Sequence, residues 1–148
     1  MDRRWMNGAS RPFSKVLIAN RGEIACRIIR ACKEAGLSSL AIYAEDDAES
    51  LFVEMSDEAV LLPGVDLAST YLNVELIIKV ALEKGAHAIH PGFGFLSERA
   101  DFARAVQEAG LIWIGPPAQA IESMGDKMTA RRLMRQAGVP VTPGEEID

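Results

Sequence analysis

Four times along this chain a helix-patterned stretch ends in glycine and a short apolar run follows. The stops are Gly36 after Lys33-Glu34-Ala35, Gly85 after Leu82-Glu83-Lys84, Gly110 after Gln107-Glu108-Ala109 and Gly138 after Arg135-Gln136-Ala137. A glycine just past a helix end takes the left-handed C′ position without a Cβ penalty. The runs that follow cover residues 40–43, 86–89, 111–114 and 139–141, and residues 16–19 open the series. Strands alternating with helices of about a dozen residues predict βαβ units, an α/β fold with a parallel sheet. The runs are apolar throughout and do not alternate, as suits strands covered by helices on both faces.

A length of 148 residues suits one domain with its own core. The net charge of −5 argues against nucleic-acid binding, which needs a basic footprint to displace counterions. No apolar run approaches the ~20 residues that cross a bilayer, so no membrane role is expected. Two cysteines, Cys26 and Cys32, are too few for a disulfide scaffold and suit a reducing, cytoplasmic compartment. Residues 1–12 read as a flexible extension, because no apolar stretch follows the early arginines as a secretory signal requires.

Helix spacing places Ile24, Ile28, Ala31, Cys32 and Ala35 on one face of the first helix. Glu23, Arg27, Arg30 and Glu34 form a charged stripe, with Glu23–Arg27 and Arg30–Glu34 as i,i+4 pairs. On spacing alone that stripe is a solvated face, with a subunit interface as the alternative. The two cysteines read as small core residues. A further helix is predicted over 71–84, with Leu72, Ile77, Val80 and Ala81 apolar, and two short ones after Pro116.

Ligands of an open parallel sheet bind beyond the carboxyl ends of its strands, and three loops lie there. The first, Asn20-Arg21-Gly22-Glu23, holds one glycine where a dinucleotide site uses three. Glu45 stands where an NAD-binding acid would, which alone is a weak signal. The second is His90-Pro91-Gly92-Phe93-Gly94-Phe95-Leu96-Ser97-Glu98. Gly92 and Gly94 allow close backbone approach to a ligand, Phe93 and Phe95 can pack the turn, and Ser97 is the expected N-cap of the next helix. His87 and His90, three apart on a strand, face opposite sides and so make no metal pair, with His87 half-buried. The third is Met124-Gly125-Asp126-Lys127, where Asp126 can cap a helix that Lys127 opens. A lysine there opposes the helix dipole unless an anion offsets it, so the turn suits a phosphate, although on spacing alone a solvated lysine is the better reading. No P-loop sequence is present.

These residues carry a specific resemblance. Residues 15–25 (KVLIANRGEIA), Tyr71-Leu72-Asn73, Ala88-Ile89-His90-Pro91-Gly92, Gly94-Phe95-Leu96-Ser97-Glu98, Ile114-Gly115-Pro116 and Met124-Gly125-Asp126-Lys127 occur in the order found in biotin carboxylase. The match runs from about residue 13 to 144 and resembles the ATP-dependent component of biotin-dependent carboxylases. It implies a Rossmann-like preATP-grasp domain over 13–120 and a helical lead-in over 121–148 to an ATP-grasp domain. The implied reaction uses ATP, Mg2+ and bicarbonate to carboxylate biotin on a carrier.

By this resemblance Lys127 contacts ATP phosphates. His90, Gly92, Phe93, Gly94 and Glu98 lie beside the biotin and bicarbonate site, with Phe93 where many family members carry tyrosine. Arg30 and Glu34 fall on a homodimer face. Implied partners are the rest of a biotin carboxylase chain, a biotin carboxyl carrier and a carboxyltransferase. The family's glycine-rich lid, second ATP lysine and metal-binding glutamates have no counterpart here, so the chain alone is expected to be inactive, with no catalytic or metal-ligating residue of its own. The wording of YLN and SMGDK leans towards the acetyl-CoA and propionyl-CoA carboxylases, hence fatty acid biosynthesis. The alternatives are a dimerising Rossmann-like domain without chemistry, the first domain of another ATP-grasp ligase such as carbamoyl phosphate synthetase, and an NAD-binding domain.

Overall fold

The computed structural model describes residues 13–142, and the expected extension over 1–12 lies outside them. Five parallel strands form one sheet in the order β3-β2-β1-β4-β5, with β1 at Lys15–Ile18, β2 at Ser38–Tyr43, β3 at Glu58–Leu61, β4 at Ala88–His90 and β5 at Ile112–Trp113. The helices are α1 (Gly22–Ala35), α2 (Leu51–Met55), α3 (Val74–Glu83), α4 (Ala100–Glu108), α5 (Ala118–Gly125) and α6 (Lys127–Gln136).

Strand residues divide between two cores because successive side chains point to opposite faces. Leu17, Ala19, Leu40, Ile42 and Ile89 pack with Ile77 and Val80 of α3, Phe102 and Val106 of α4 and Ile121 of α5. Val16, Ile18, Ala41 and Ala88 pack with Ala25, Cys26, Ile28, Ile29 and Cys32 of α1 and with Phe52 of α2. The result is the α/β sandwich of helix, sheet and helix that the apolar runs predict. Each fully buried Leu, Ile or Phe contributes roughly 1.5–3 kcal/mol to holding it together.

The first glycine stop shows how the repeated pattern works. Gly36 sits at φ +65°, and the Leu37 N–H donates to the Cys32 carbonyl at 2.8 Å, closing α1 and turning the chain into β2. The same backbone bond recurs in Ala86 to Ala81, Leu111 to Val106 and Val139 to Met134. The fourth repeat nevertheless ends without a strand. Residues 139–141 pair with nothing in the sheet, Val139 stays 47% exposed, and Pro140 lacks the N–H that a ladder needs.

Other expectations shift in detail. The helix predicted over 71–84 begins at Val74, because the Asn73 side chain accepts from the Leu76 N–H at 3.0 Å and caps it there. Tyr71 is fully buried in the preceding loop, while Leu72 is exposed. On α1 the buried stripe is Ala25, Cys26, Ile28, Ile29 and Cys32; Ala31 is exposed, and Ile24 and Ala35 are only half-buried. Small Ala25 and Cys26 let the helix approach both the strands and Phe52, which rotates it from the face the spacing suggested. Neither Glu23–Arg27 nor Arg30–Glu34 closes as an ion pair among the described residues. His87 is exposed just before β4, its Nδ1 3.4 Å from the Ser14 hydroxyl, rather than half-buried within the strand.

A loop–strand tie secures the β3 edge. The Ser39 N–H and hydroxyl both donate to Asp57, at 2.7 and 2.8 Å, and hold its carboxyl below the usual carboxylate range. Burial pushes the Cys32 thiol up, with the Asp57 charge adding to it, so Cys32 stays protonated core.

Candidate functional site

The chain runs β1, β2, β3 towards one edge and then crosses to β4 on the other side of β1. This reversal places the ligand crevice of an open α/β sheet between the ends of β1 and β4. Asn20 fills it. Only 2% exposed, its Nδ2 donates to the Pro91 carbonyl at 2.8 Å and the Phe93 carbonyl at 2.9 Å, and its Oδ1 accepts the Arg21 N–H at 3.0 Å. One amide thus joins the loops that follow β1 and β4. Glu45 is exposed at the start of a 3-10 turn (Glu45–Asp47), on a cavity shared with Arg21, Asp47 and Tyr71.

The glycine loop after β4 is shaped by its backbone. His90 is half-buried, and its Nδ1 accepts the Gly92 N–H at 3.0 Å. Burial lowers the His90 pKa and favours the neutral ring that can act as this acceptor. Gly92 and Gly94 both lie at φ +71°, and Phe95 at φ +48° is the positive-φ residue other than glycine among those described. Such a conformation costs a bulky residue about 1–3 kcal/mol, so its surroundings must hold it. Leu96 is completely buried and anchors the far side.

Two expectations for this loop change. Phe93 does not pack the turn: it is 76% exposed and borders an apolar groove of about 480 Å³ with Ile24, Ile28, Leu37 and His90. Ser97 does not cap α4, which starts at Ala100 after Arg99; instead the Ser97 N–H donates to the Gly94 carbonyl at 2.9 Å and tightens the loop on itself.

The second and third loops meet. A cavity of about 580 Å³ is lined by Ser97 and Glu98 from the glycine loop and by Pro116, Ile121, Met124 and Gly125 from the α5 side. Asp126 caps α6, accepting the Met128 N–H at 3.1 Å and the Thr129 hydroxyl at 2.5 Å, and these bonds, the hydroxyl's first, hold its carboxyl below the usual range. Lys127 is the first residue of that helix.

A polar cluster that sequence reasoning did not single out lies behind the glycine loop. Asp47, 5% exposed, accepts from the Tyr71 hydroxyl and from the Arg21 guanidinium, each at 2.5 Å. Arg21 also stands 5.7 Å from the centroid of the Tyr71 ring. Burial, then the Asp47 bond, raises the Tyr71 pKa, so its hydroxyl remains a donor. The signals in the sequence were an Asp-Asp pair after the second strand and a tyrosine just before the third helix, neither of which reveals its partner.

Arg30 and Glu34 are both exposed on α1. Among the described residues no group of three His, Cys, Asp or Glu side chains could hold a metal ion. The α5–α6 turn and Glu98 offer a nucleotide one side of a site, edged by carboxylates. The described residues therefore do not fit ATP or Mg2+ by themselves.

Comparison with known proteins gives a consistent answer. Residues 12–121 match the family described as the biotin carboxylase N-terminal domain. The chain is 54% identical over 134 residues to the 2-oxoglutarate carboxylase small subunit of Hydrogenobacter thermophilus, covering 90% of this chain and 28% of that one. It is 52% identical to biotin carboxylase 1 of Bacillus subtilis, covering 90% and 30%. Among solved structures it resembles the biotin carboxylase domain dimer of the Hydrogenobacter thermophilus 2-oxoglutarate carboxylase, in complex with MgADP and bicarbonate. That likeness has a TM-score of 0.86 and 53% identity, over 92% of this chain and 30% of that one. It also resembles the urea carboxylase of Kluyveromyces lactis, with a TM-score of 0.86 and 44% identity over 90% and 12%.

Proposed function

Since this chain belongs to the biotin carboxylase N-terminal domain family, we propose that it supplies the preATP-grasp part of an enzyme that uses ATP and bicarbonate to carboxylate biotin on a carrier. The observation that carries this reading is the meeting of the glycine loop and the α5–α6 turn on one cavity, with Glu98 on one wall and Met124 and Gly125 on the other. In it, residues 13–120 form the domain and 121–148 lead towards an ATP-grasp region. Lys127 contacts nucleotide phosphates. His90, Gly92, Phe93, Gly94 and Glu98 flank biotin and bicarbonate, and the exposed Phe93 ring offers a flat apolar surface without the hydroxyl of a tyrosine.

The chain spans 28% of the Hydrogenobacter relative and 30% of the Bacillus one, and the reading assigns the remaining ligands of ATP, Mg2+ and biotin to sequence such relatives have beyond this stretch. The carrier and a carboxyltransferase are its partners, and the cytoplasm its compartment. No described helix is long and apolar enough to cross a membrane. The names of relatives at 50–54% identity cover 2-oxoglutarate, acyl-CoA, methylcrotonoyl-CoA and pyruvate carboxylases. An acyl-CoA acceptor, of the acetyl-CoA or propionyl-CoA kind, is the finer branch that the YLN and SMGDK strings favour.

The test replaces the corresponding stretch of the Hydrogenobacter relative by this chain and measures ATP hydrolysis that depends on bicarbonate and biotin. Turnover is expected, falling about tenfold or more with Lys127→Gln as a phosphate contact is lost. A chimera that folds and binds ADP but consumes no bicarbonate overturns the reading. The 148-residue chain alone is expected to show no bicarbonate-dependent ATPase activity and no micromolar ATP affinity by calorimetry.

Arg30 and Glu34 are part of the same proposal as a homodimer face. In the chimera, Arg30→Glu is expected to halve the mass seen by light scattering at micromolar protein. An unchanged mass would return the stripe to a solvated face.

A further inference from the structure

We propose that Tyr71 is a positioning residue for the glycine loop, holding Phe95 in its left-handed conformation so that Phe93, Gly94 and Glu98 keep one fixed arrangement. This deepens the proposed function and rests on its reading of that loop as the biotin and bicarbonate side. The loop has glycine at 92 and 94, where φ is +71°, but a phenylalanine at 95, where φ is +48°. Glycine at 95 would relieve the backbone; the ring instead stacks on Tyr71, with centroids 5.5 Å apart and planes 15° from parallel. Stacked aromatic pairs of this kind attract beyond their shared burial.

Tyr71 can act as a fixed post because it is itself held at its far end. Its hydroxyl donates to Asp47 at 2.5 Å and accepts the Ala44 N–H at 3.1 Å. Asp47 is in turn tied to Arg21, at the start of α1. The loops after β1, β2 and β4 are thus joined through a single ring. A tyrosine that only filled core volume would need neither the buried carboxylate nor a strained partner on its face.

The experiment follows amide hydrogen exchange by NMR in the 148-residue chain. In Tyr71→Phe the ring remains but its tether is lost. The Ser97 and Arg99 amides, which close the loop on Gly94 and Leu96, are expected to exchange about tenfold faster, with β2 amides within about twofold. In a Phe95→Gly background the same substitution is expected to change loop exchange less than about twofold, because the coupled ring is gone. Equal acceleration of loop and β2 in both backgrounds, or no acceleration in either, overturns the proposal. Should Tyr71→Phe not fold, Phe95→Leu keeps the strained backbone, removes the stack and is expected to loosen the loop by a similar factor; parent-like exchange in that variant overturns it as well. The KM for free biotin in the chimera reads the function separately. A loosened loop with an unchanged biotin KM leaves the positioning role standing and counts against the loop as the biotin side.

Discussion

Replacing Asn20 by alanine is expected to destabilise this chain by about 3 kcal/mol, the cost of stranding two carbonyl acceptors, one buried and one partly buried. The residue is 2% exposed and its amide donates to the carbonyls of Pro91 and Phe93 at 2.8 and 2.9 Å. Alanine returns neither bond. At this chain length about 3 kcal/mol corresponds to a fall of roughly 6–12 °C in Tm. Asn20→Asp sharpens the comparison: it keeps the shape but sets a carboxylate against the same two carbonyl oxygens. It should be at least as destabilising at neutral pH as alanine, and should recover as the carboxyl is protonated. Thermal and urea denaturation of the three chains measure this. A loss below about 1 kcal/mol for Asn20→Ala would mean that water replaces the amide, so that the crevice is open rather than sealed.

That seal marks the boundary of what the sequence made legible. The parallel sheet, the two helical layers and three of the four glycine-closed repeats follow from composition and spacing, because a C′ glycine and a buried apolar run each have one cheap structural solution. The fourth repeat carried the same signals and still formed no strand, since Pro140 removes a donor and no partner strand lies beside it. The strings around Asn20, Gly92 and Lys127 were visible as candidate loops, but their connections were not. A side chain's partner seventy residues away, such as Asn20 with Pro91, leaves no periodic trace. The Asp46-Asp47 pair carries no sign that the fold buries Asp47 against Tyr71 and Arg21. The charged stripe of α1 was legible as a stripe, whereas its ion pairs, set by rotamers at a solvent face, were not.

The second large effect is expected at Gly92, where alanine should cost about 3 kcal/mol or more through two separable causes. The first is conformational: φ is +71°, a region that costs an L-residue about 1–2 kcal/mol. The second is contact: a Cβ there would sit 2.7 Å from the Asn20 Nδ2, 2.8 Å from the Ile24 Cγ2 and 3.0 Å from the Asn20 Cγ. The Asn20 side chain cannot swing away, because the bonds that seal the crevice hold it. Gly94 isolates the first cause, since it has the same φ but nothing within 4 Å of an added Cβ, so Gly94→Ala should cost only about 1–2 kcal/mol. The second cause is read from a cycle with Asn20→Ala, which removes two of the three contacts and leaves Ile24. The double variant should be more stable than the sum of the single losses predicts, by about 1 kcal/mol or more. Additive losses, within about 0.5 kcal/mol, would show that the loop shifts away from Asn20 on substitution. In that case the glycine at 92 would be required by its backbone angle alone, and the close approach of loop and amide would not constrain the position of Phe93.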